Sequence, residues 1–525
     1  MMKAEIKEKL VSKGVSRRSI LKGAVALGAM TVGSGLALNL AAPGAAEAMV
    51  KKLPAKWDET WDVVVVGSGF AGLAAAAEAA GGGAKVVVLE KMPTYGGNSI
   101  INGGVYAAWD SQFHYRQKLN LGDDSVKQHA DDTVKGGDYY NLPELVEVMA
   151  KGAAPALDWM INEGGAKVRP TVTRAGGHTA YRTHSAVAGV GREYTEALRK
   201  IAEKRGAKIA LNTEVTWIWR KDADPASPVL GLEVKRGRRV LNIKAAKALI
   251  LASGGFSRDL KMRLAHNPRL VDSFNCTNHP GATGEMIRYA QAVGADTLQM
   301  NFIQLYPFAE PETGILDTPA VYPFNGPGYG IVYVTKEGKR FVNELERRDV
   351  CAFAQINLGP NAKPTWSIFS DAMVLKMGGS NEEIAAGLAK GRFVKADTIA
   401  ELAAKIKIPA AALTETINKH NKYIQDGKDP DFSKSMTKVM IPMVQGPFYA
   451  IAQWPAIHHC MGGLRINPNA QVVDVFGAVI PGFYAAGEVA GGVHGSNRLG
   501  SNAIPDAISF GRVAGTNAAK EKSKA

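Results

Sequence analysis

The sequence predicts an α/β fold whose main domain is assembled from both ends of the chain, with an α+β unit inserted between the two parts. Three observations carry this. A strand, a glycine-rich turn, a helix and a second strand follow one another from residue 61. Strand-like runs ending in small residues recur at 248–256 and at 480–488. The 525 residues include 57 glycines, often paired at turns, and are 46% apolar and 21% charged, an ordinary globular balance that excludes disorder, collagen and coiled coil.

Residues 1–48 read as an address. Ser16-Arg17-Arg18-Ser19-Ile20-Leu21-Lys22 is a twin-arginine pattern, followed by a mildly apolar stretch and by Ala46-Glu47-Ala48 as a cleavage site. Export of a folded protein to the periplasm is expected. A membrane anchor is the alternative, but Gly, Ala and Asn39 make the stretch weakly hydrophobic for a span. After cleavage, no integral membrane segment is expected. Net charge is +14, of which +4 lies in residues 1–48. No Lys/Arg run with interleaved aromatics suggests nucleic acid. A solvated basic surface or an acidic electron-transfer partner accounts for the rest. Cys276, Cys351 and Cys460 are far apart, and neither CxxC nor CxxCH occurs, so no zinc ribbon, redox pair or attached c-type haem is expected. No metal site is predicted.

Trp61-Asp62-Val63-Val64-Val65-Val66 has the pattern of a buried parallel strand. Gly67-Ser68-Gly69-Phe70-Ala71-Gly72 follows, then an Ala-rich helix over 73–80, then Lys85–Leu89 as a second strand closed by Glu90. In this context GxGxxG is a Rossmann-like dinucleotide motif. Gly67, Gly69, Ala71 and Gly72 admit a pyrophosphate to the backbone, the helix N-terminus favours its charge, and Glu90 accepts from ribose hydroxyls.

Downstream features favour FAD over NAD. A second glycine cluster, Gly96-Gly97-Asn98 and Gly103-Gly104, lets the chain run past a flavin. Gly254 and Glu488 end the two later strands. The predicted organisation is an FAD-binding domain over 57–292 and 440–520, with a capping domain over 293–439 that includes a helical stretch, Ala400 to Asp426. The C-terminal loop Gly491–Ala503 leads into a helix, so Ala503 and Ile504 can hold the flavin's polar edge. Arg498, among small residues, can reach a cavity and grip a carboxylate; a surface ion pair is the alternative. His458 and His459 suit hydrogen bonding better than metal ligation; core histidines are the bland alternative.

At this point the sequence resembles the flavoprotein part of flavocytochrome c fumarate reductases and their relatives that reduce urocanate, acrylate, methacrylate or cinnamate. The resemblance spans about residues 58–520 and rests on GSGFAG at 67–72, GGN at 96–98, TNHPGATGE at 277–285, EGKRFVNE at 337–344, HHCMGG at 458–463 and GGVHGSNRLGSNA at 491–503. It implies a flavin between the nucleotide domain and a mobile cap, hydride delivery to the β-carbon of an activated alkene, and a proton from Arg348 to the α-carbon. It also implies that His458 and Arg498 hold the carboxylate, with Ser501 and Tyr306 beside it, and that His459 serves the cofactor. Tyr306 is the rival proton donor; Glu344 and Glu285 are candidate relays. The haem domain of some relatives is missing from this sequence, so a separate c-type cytochrome is the expected electron donor.

The departures narrow the substrate. Gln304-Leu305-Tyr306-Pro307 has tyrosine where fumarate reductases have a histidine for the second carboxylate. A small unsaturated monocarboxylate is therefore expected, acrylate or methacrylate first and urocanate or a cinnamate-like acid next. Fumarate reduction and a ketosteroid 1-dehydrogenase-like activity are the alternatives. Gly97 or Asn98 stands where membrane-bound relatives link flavin to histidine, so FAD should be non-covalent.

Overall fold

A computed structural model describes residues 51–524 apart from 223 and 272. The twin-arginine segment lies outside the described residues. Valines dictate the start: β1 (Glu59–Val66) buries Val63 to Val66 on both faces. Helix α1 (Phe70–Gly81) returns the chain to β2 (Val86–Leu89), and β1 pairs with β2 in parallel, Val63 opposite Val86. Next come β3 (Lys208–Ala210), β4 (Thr213–Arg220), β5 (Val229–Arg236) and β6 (Arg239–Leu251). The C-terminal part returns as β7 (Gln471–Val473), β8 (Val479–Ala485) and helix α2 (Ala503–Lys520). All eight strands form one sheet with the spine β7-β8-β6-β1-β2-β3, and β4 and β5 continue from β6 as an antiparallel flap. Residues from both chain ends thus meet where β8 lies parallel to β6, Tyr484 opposite Ile250.

The alanines of α1 have a packing cause. A Cβ on Gly511 or Gly515 of α2 would sit 2.5 Å from the Ala71 carbonyl oxygen or 2.2 Å from that of Ala75. Only small residues on both helices allow this approach, which sets α2 across the first turn of α1.

A second hydrophobic core lies mainly within 306–456, around Phe308, Tyr333, Phe369 and Ile451. Its five-stranded sheet is antiparallel and centres on the long strand Phe448–Cys460. That strand begins in the second core and ends in the first, where Ile457 and Cys460 are buried. Residues 400–426 form two helices, Ile399–Lys405 and Ala410–Asp426, because Lys407 turns left-handed (φ 58°) and Pro409 caps the second. No helix among the described residues is long and apolar enough to cross a membrane.

Candidate active site

A cleft of about 1770 Å³, its open mouth included, runs from the carboxyl ends of β1 and β2 to the second core. At the β1 end the backbone builds the wall. Gly67 has φ 103°, and a Cβ there would lie 2.3 Å from the Ala252 oxygen. Gly72 permits the helix to start against Gly67, whose oxygen would be 1.9 Å from any Cβ at 72. Glu90 is held by the Ser68 hydroxyl (2.6 Å), the Ser68 N–H (3.2 Å) and the Met92 N–H (3.0 Å). Lys91 bonds Thr283 (2.6 Å) and pairs with Glu285 (3.1 Å) on the same wall, a cation to which the sequence reading gives no site role.

Midway, Asn98 accepts from the His279 N–H (2.6 Å), and Glu488 accepts from the Cys460 N–H (2.9 Å). Burial raises the Glu488 carboxyl to about 6. His459 Nδ1 stands 3.6 Å from Glu488, and its buried Nε2 has no partner among the described residues.

The far end gathers residues from six separate segments. The strand Ile303–Ala309 pairs with the long strand, but the register slips: Gln304 faces His459 and Leu305 faces Ile457. His458 is the extra residue of this bulge, which is how two adjacent histidines both come to line the cleft. His458 Nδ1 is 2.7 Å from the Thr277 hydroxyl, and its ring lies 4.9 Å from that of Tyr306. Burial, then the nearby Arg348 and Arg498, hold His458 well below the ordinary imidazole value, so it is neutral.

Arg348 opens the helix Arg348–Asn357. Its guanidinium lies over two adjoining, mutually tilted rings, those of Tyr306 (4.9 Å) and Phe324 (4.7 Å). Among the described residues its one side-chain hydrogen bond runs to Gln304 Oε1 (3.1 Å), and its buried Nε has no partner. Burial brings it down to about 10. Gln304 in turn donates to the Arg498 carbonyl (2.7 Å) and to Asn497 (2.8 Å), tying the two arginine segments together. Among the described residues Arg498 donates only to the Leu499 carbonyl (3.2 Å) and its Nε is unpaired; burial, then Arg348, depress it strongly. Neither arginine has a carboxylate within ion-pair distance among the described residues.

Every predicted site residue lines this one cleft except Gly72 and Gly104, which stand behind the wall. The Tyr306 hydroxyl donates to the Ala320 carbonyl (2.9 Å), and burial raises it far above the phenol range. Ser501 has φ 63° and its hydroxyl is taken up by Gly500 (2.6 Å) and Thr183 (2.8 Å). Neither relay candidate reaches Arg348: Glu285 pairs with Lys91, and Glu344 is buried with Arg340 (2.7 Å) and Lys434 (3.2 Å). Gln304, Thr277 and Phe324 escaped the motif reading as site residues because their roles arise only from strand register and ring stacking. The three cysteines are buried free thiols, and no group of potential metal ligands occurs among the described residues.

The residues fit a flavin dinucleotide. A Cβ on Gly97 or Gly254 would meet nothing within 4 Å, so the two glycines leave the cleft floor open. The unpaired Arg498 Nε provides a buried donor for a polar ring edge, and the unpaired His459 Nε2 a donor or an acceptor according to its tautomer. The open N-terminus of α2, at Ala503 and Ile504, adds free N–H groups.

Comparison with known proteins agrees. A family model described as an FAD binding domain matches residues 62–504. Urocanate reductase of Eggerthella lenta is 37% identical over 470 residues, 87% of this chain and 74% of that protein. The acrylate reductase flavoprotein subunit of Shewanella woodyi is 33% identical, covering 95% of this chain and 97% of the relative. The open conformation of a flavocytochrome c3 fumarate reductase superposes with a TM-score of 0.68 at 34% identity, covering 89% of this chain and 79% of that one. The glycine cradle, the cleft and these likenesses agree: the chain belongs to the FAD-binding family that includes the flavoprotein reductases, and it is an FAD-dependent oxidoreductase.

Proposed function

We propose that this protein reduces the C=C bond of a small α,β-unsaturated monocarboxylate. The observation that carries the reading is the pair of buried guanidinium groups, Arg348 and Arg498, facing one cleft with no carboxylate within ion-pair distance among the described residues. Buried charges are normally paired; two unpaired cations prepare a place for an anion. FAD, held non-covalently by the Gly67–Gly72 turn, Glu90, Asn98, Glu488 and the α2 N-terminus, supplies hydride equivalents when reduced.

Arg498 and neutral His458 orient the substrate carboxylate, and His458 is itself fixed by Thr277. Their positive field withdraws electrons from the alkene and stabilises the enolate-like charge that builds up during addition. Arg348 gives its proton to the α-carbon. Its value of about 10 makes it a better acid than a solvated guanidinium, whose ordinary value is 12.5. Tyr306 serves as a wall, since its hydroxyl is committed to Ala320. Leu316, Val321 and Phe324 complete an apolar wall there, which supports acrylate- or methacrylate-like acids, then urocanate or cinnamate-like acids, over fumarate. Residues 293–439 act as the cap. The twin-arginine pattern supports export to the periplasm, where a separate c-type cytochrome would be the electron donor.

Anaerobically reduced enzyme is mixed with acrylate, methacrylate, urocanate, cinnamate, fumarate and a 3-ketosteroid, and flavin reoxidation is followed. Fast reoxidation by one monocarboxylate is expected. Fumarate winning would overturn the monocarboxylate assignment, and reoxidation by the steroid alone would overturn the reading.

A further inference from the structure

Arg347, the residue before the proposed acid, uses its guanidinium quite differently from Arg348. It caps the helix Arg348–Asn357 and binds two carboxylates. Asp349 receives Nε (3.1 Å) and Nη2 (2.6 Å) from the first turn of the same helix. Asp138, on the 136–138 turn, receives Nη2 (3.1 Å) and Nη1, and Nη1 also reaches the Gly136 carbonyl (3.3 Å). Asp138 further accepts from the Ser496 hydroxyl, and the Gly136 carbonyl accepts from Asn497 (3.3 Å). Three segments therefore meet at one carboxylate: the 136–138 turn, the loop that carries Arg498, and the residue adjoining Arg348.

The turn is shaped for this. Asp138 and Tyr139 both adopt left-handed backbone (φ 53° and 61°), a conformation that costs a non-glycine residue energy unless its surroundings fix it. Tyr139 is 75% exposed, so its side chain is not what fixes it. Arg347 and Ser496 lower the Asp138 carboxyl below the usual range, as expected for an acceptor held in its charged form.

We infer that Asp138 is a positioning residue: through Arg347 it sets the angle at which the helix Arg348–Asn357 presents Arg348 to the cleft. Arg348 itself is held by one hydrogen bond and two ring faces, which guide a guanidinium weakly in direction. The forked, planar Arg347–Asp138 pair supplies the direction that these lack. The consequence for rate rests on the proposed role of Arg348; the consequence for helix order does not.

The test uses holoenzyme carrying Asp138→Asn or Asp138→Glu. Hydrogen exchange is read over 345–357, with α2 as internal control, beside flavin content, kcat and KM for the preferred enoate. Asp138→Asn is expected to speed exchange over 345–357 at least about fivefold, to leave α2 and flavin content unchanged, and to lower kcat about tenfold at nearly constant KM. That is within the ~10²-fold cost of a 1 Å misplacement. Asp138→Glu, which keeps the charge, should recover most of both. Unchanged exchange over 345–357, faster exchange with unchanged kcat, or equal loss in both variants would each overturn the inference. Wild-type enzyme that no enoate reoxidises would instead overturn the proposed function, and exchange alone would then decide whether Asp138 orders the helix.

Discussion

The two ends of the cleft hold buried charge in opposite ways. Glu90, at the nucleotide end, is surrounded by three donors within a single βαβ unit. Arg348, at the far end, has one hydrogen bond, two aromatic faces and an unpaired Nε. The first charge is satisfied before any ligand arrives, and its geometry is a scaffold. The second is left incomplete, and its energy of burial is available to whatever anion enters. A binding end and a reacting end are distinguished here by how fully their charges are paired.

The largest effect expected from breaking this contrast is at Arg348. Arg348→Ala should lower kcat by about 10²–10⁴-fold, the usual worth of a positioned general acid, with flavin content retained by absorbance. Next, Arg498→Ala should raise KM for the enoate by about 10–100-fold, as loss of a charge-assisted contact predicts; steady-state kinetics reads it. At the scaffold end, Gly67→Ala forces a Cβ against the Ala252 oxygen at positive φ. Backbone strain of about 1–3 kcal/mol should appear as a lower Tm and lost flavin, with no selective change in substrate preference.

A pH profile sharpens the comparison. Arg348 acts when protonated and sits at about 10, so the rate should stay level below that pH and fall above it. Arg348→Lys should move the limb to lower pH, because lysine's ordinary value is lower than arginine's and burial depresses both. The smallest effect belongs to Phe324→Leu. Losing one of the two rings beside the guanidinium, about 0.5–1 kcal/mol, should cost about two- to fivefold in kcat.

Legibility in the sequence followed the same division. The nucleotide end was readable because Gly67, Gly69, Gly72 and Glu90 act through the backbone of contiguous residues, where spacing is geometry. The far end is different. Gln304 earns its place by strand register, His458 by a bulge, and Phe324 by stacking on a guanidinium 24 positions away in the chain. Such contacts leave no periodic trace in the sequence: Arg348 is reached only through family resemblance, whereas the small neighbours of Arg498 and the pairing of His458 with His459 mark those two without fixing their partners. The break at Lys407–Pro409 was missed for a local reason, as an alanine-rich run on either side masks a two-helix turn.

The unpaired guanidinium groups also have a consequence for anyone assaying the enzyme. A cleft with two guanidinium groups and no carboxylate within ion-pair distance of either among the described residues is expected to recruit an anion from the buffer. Chloride, sulfate and acetate should compete with the enoate, so an apparent KM will track the anion in the medium. Substrate rankings compared across different salts would then report on the salts as much as on the enzyme.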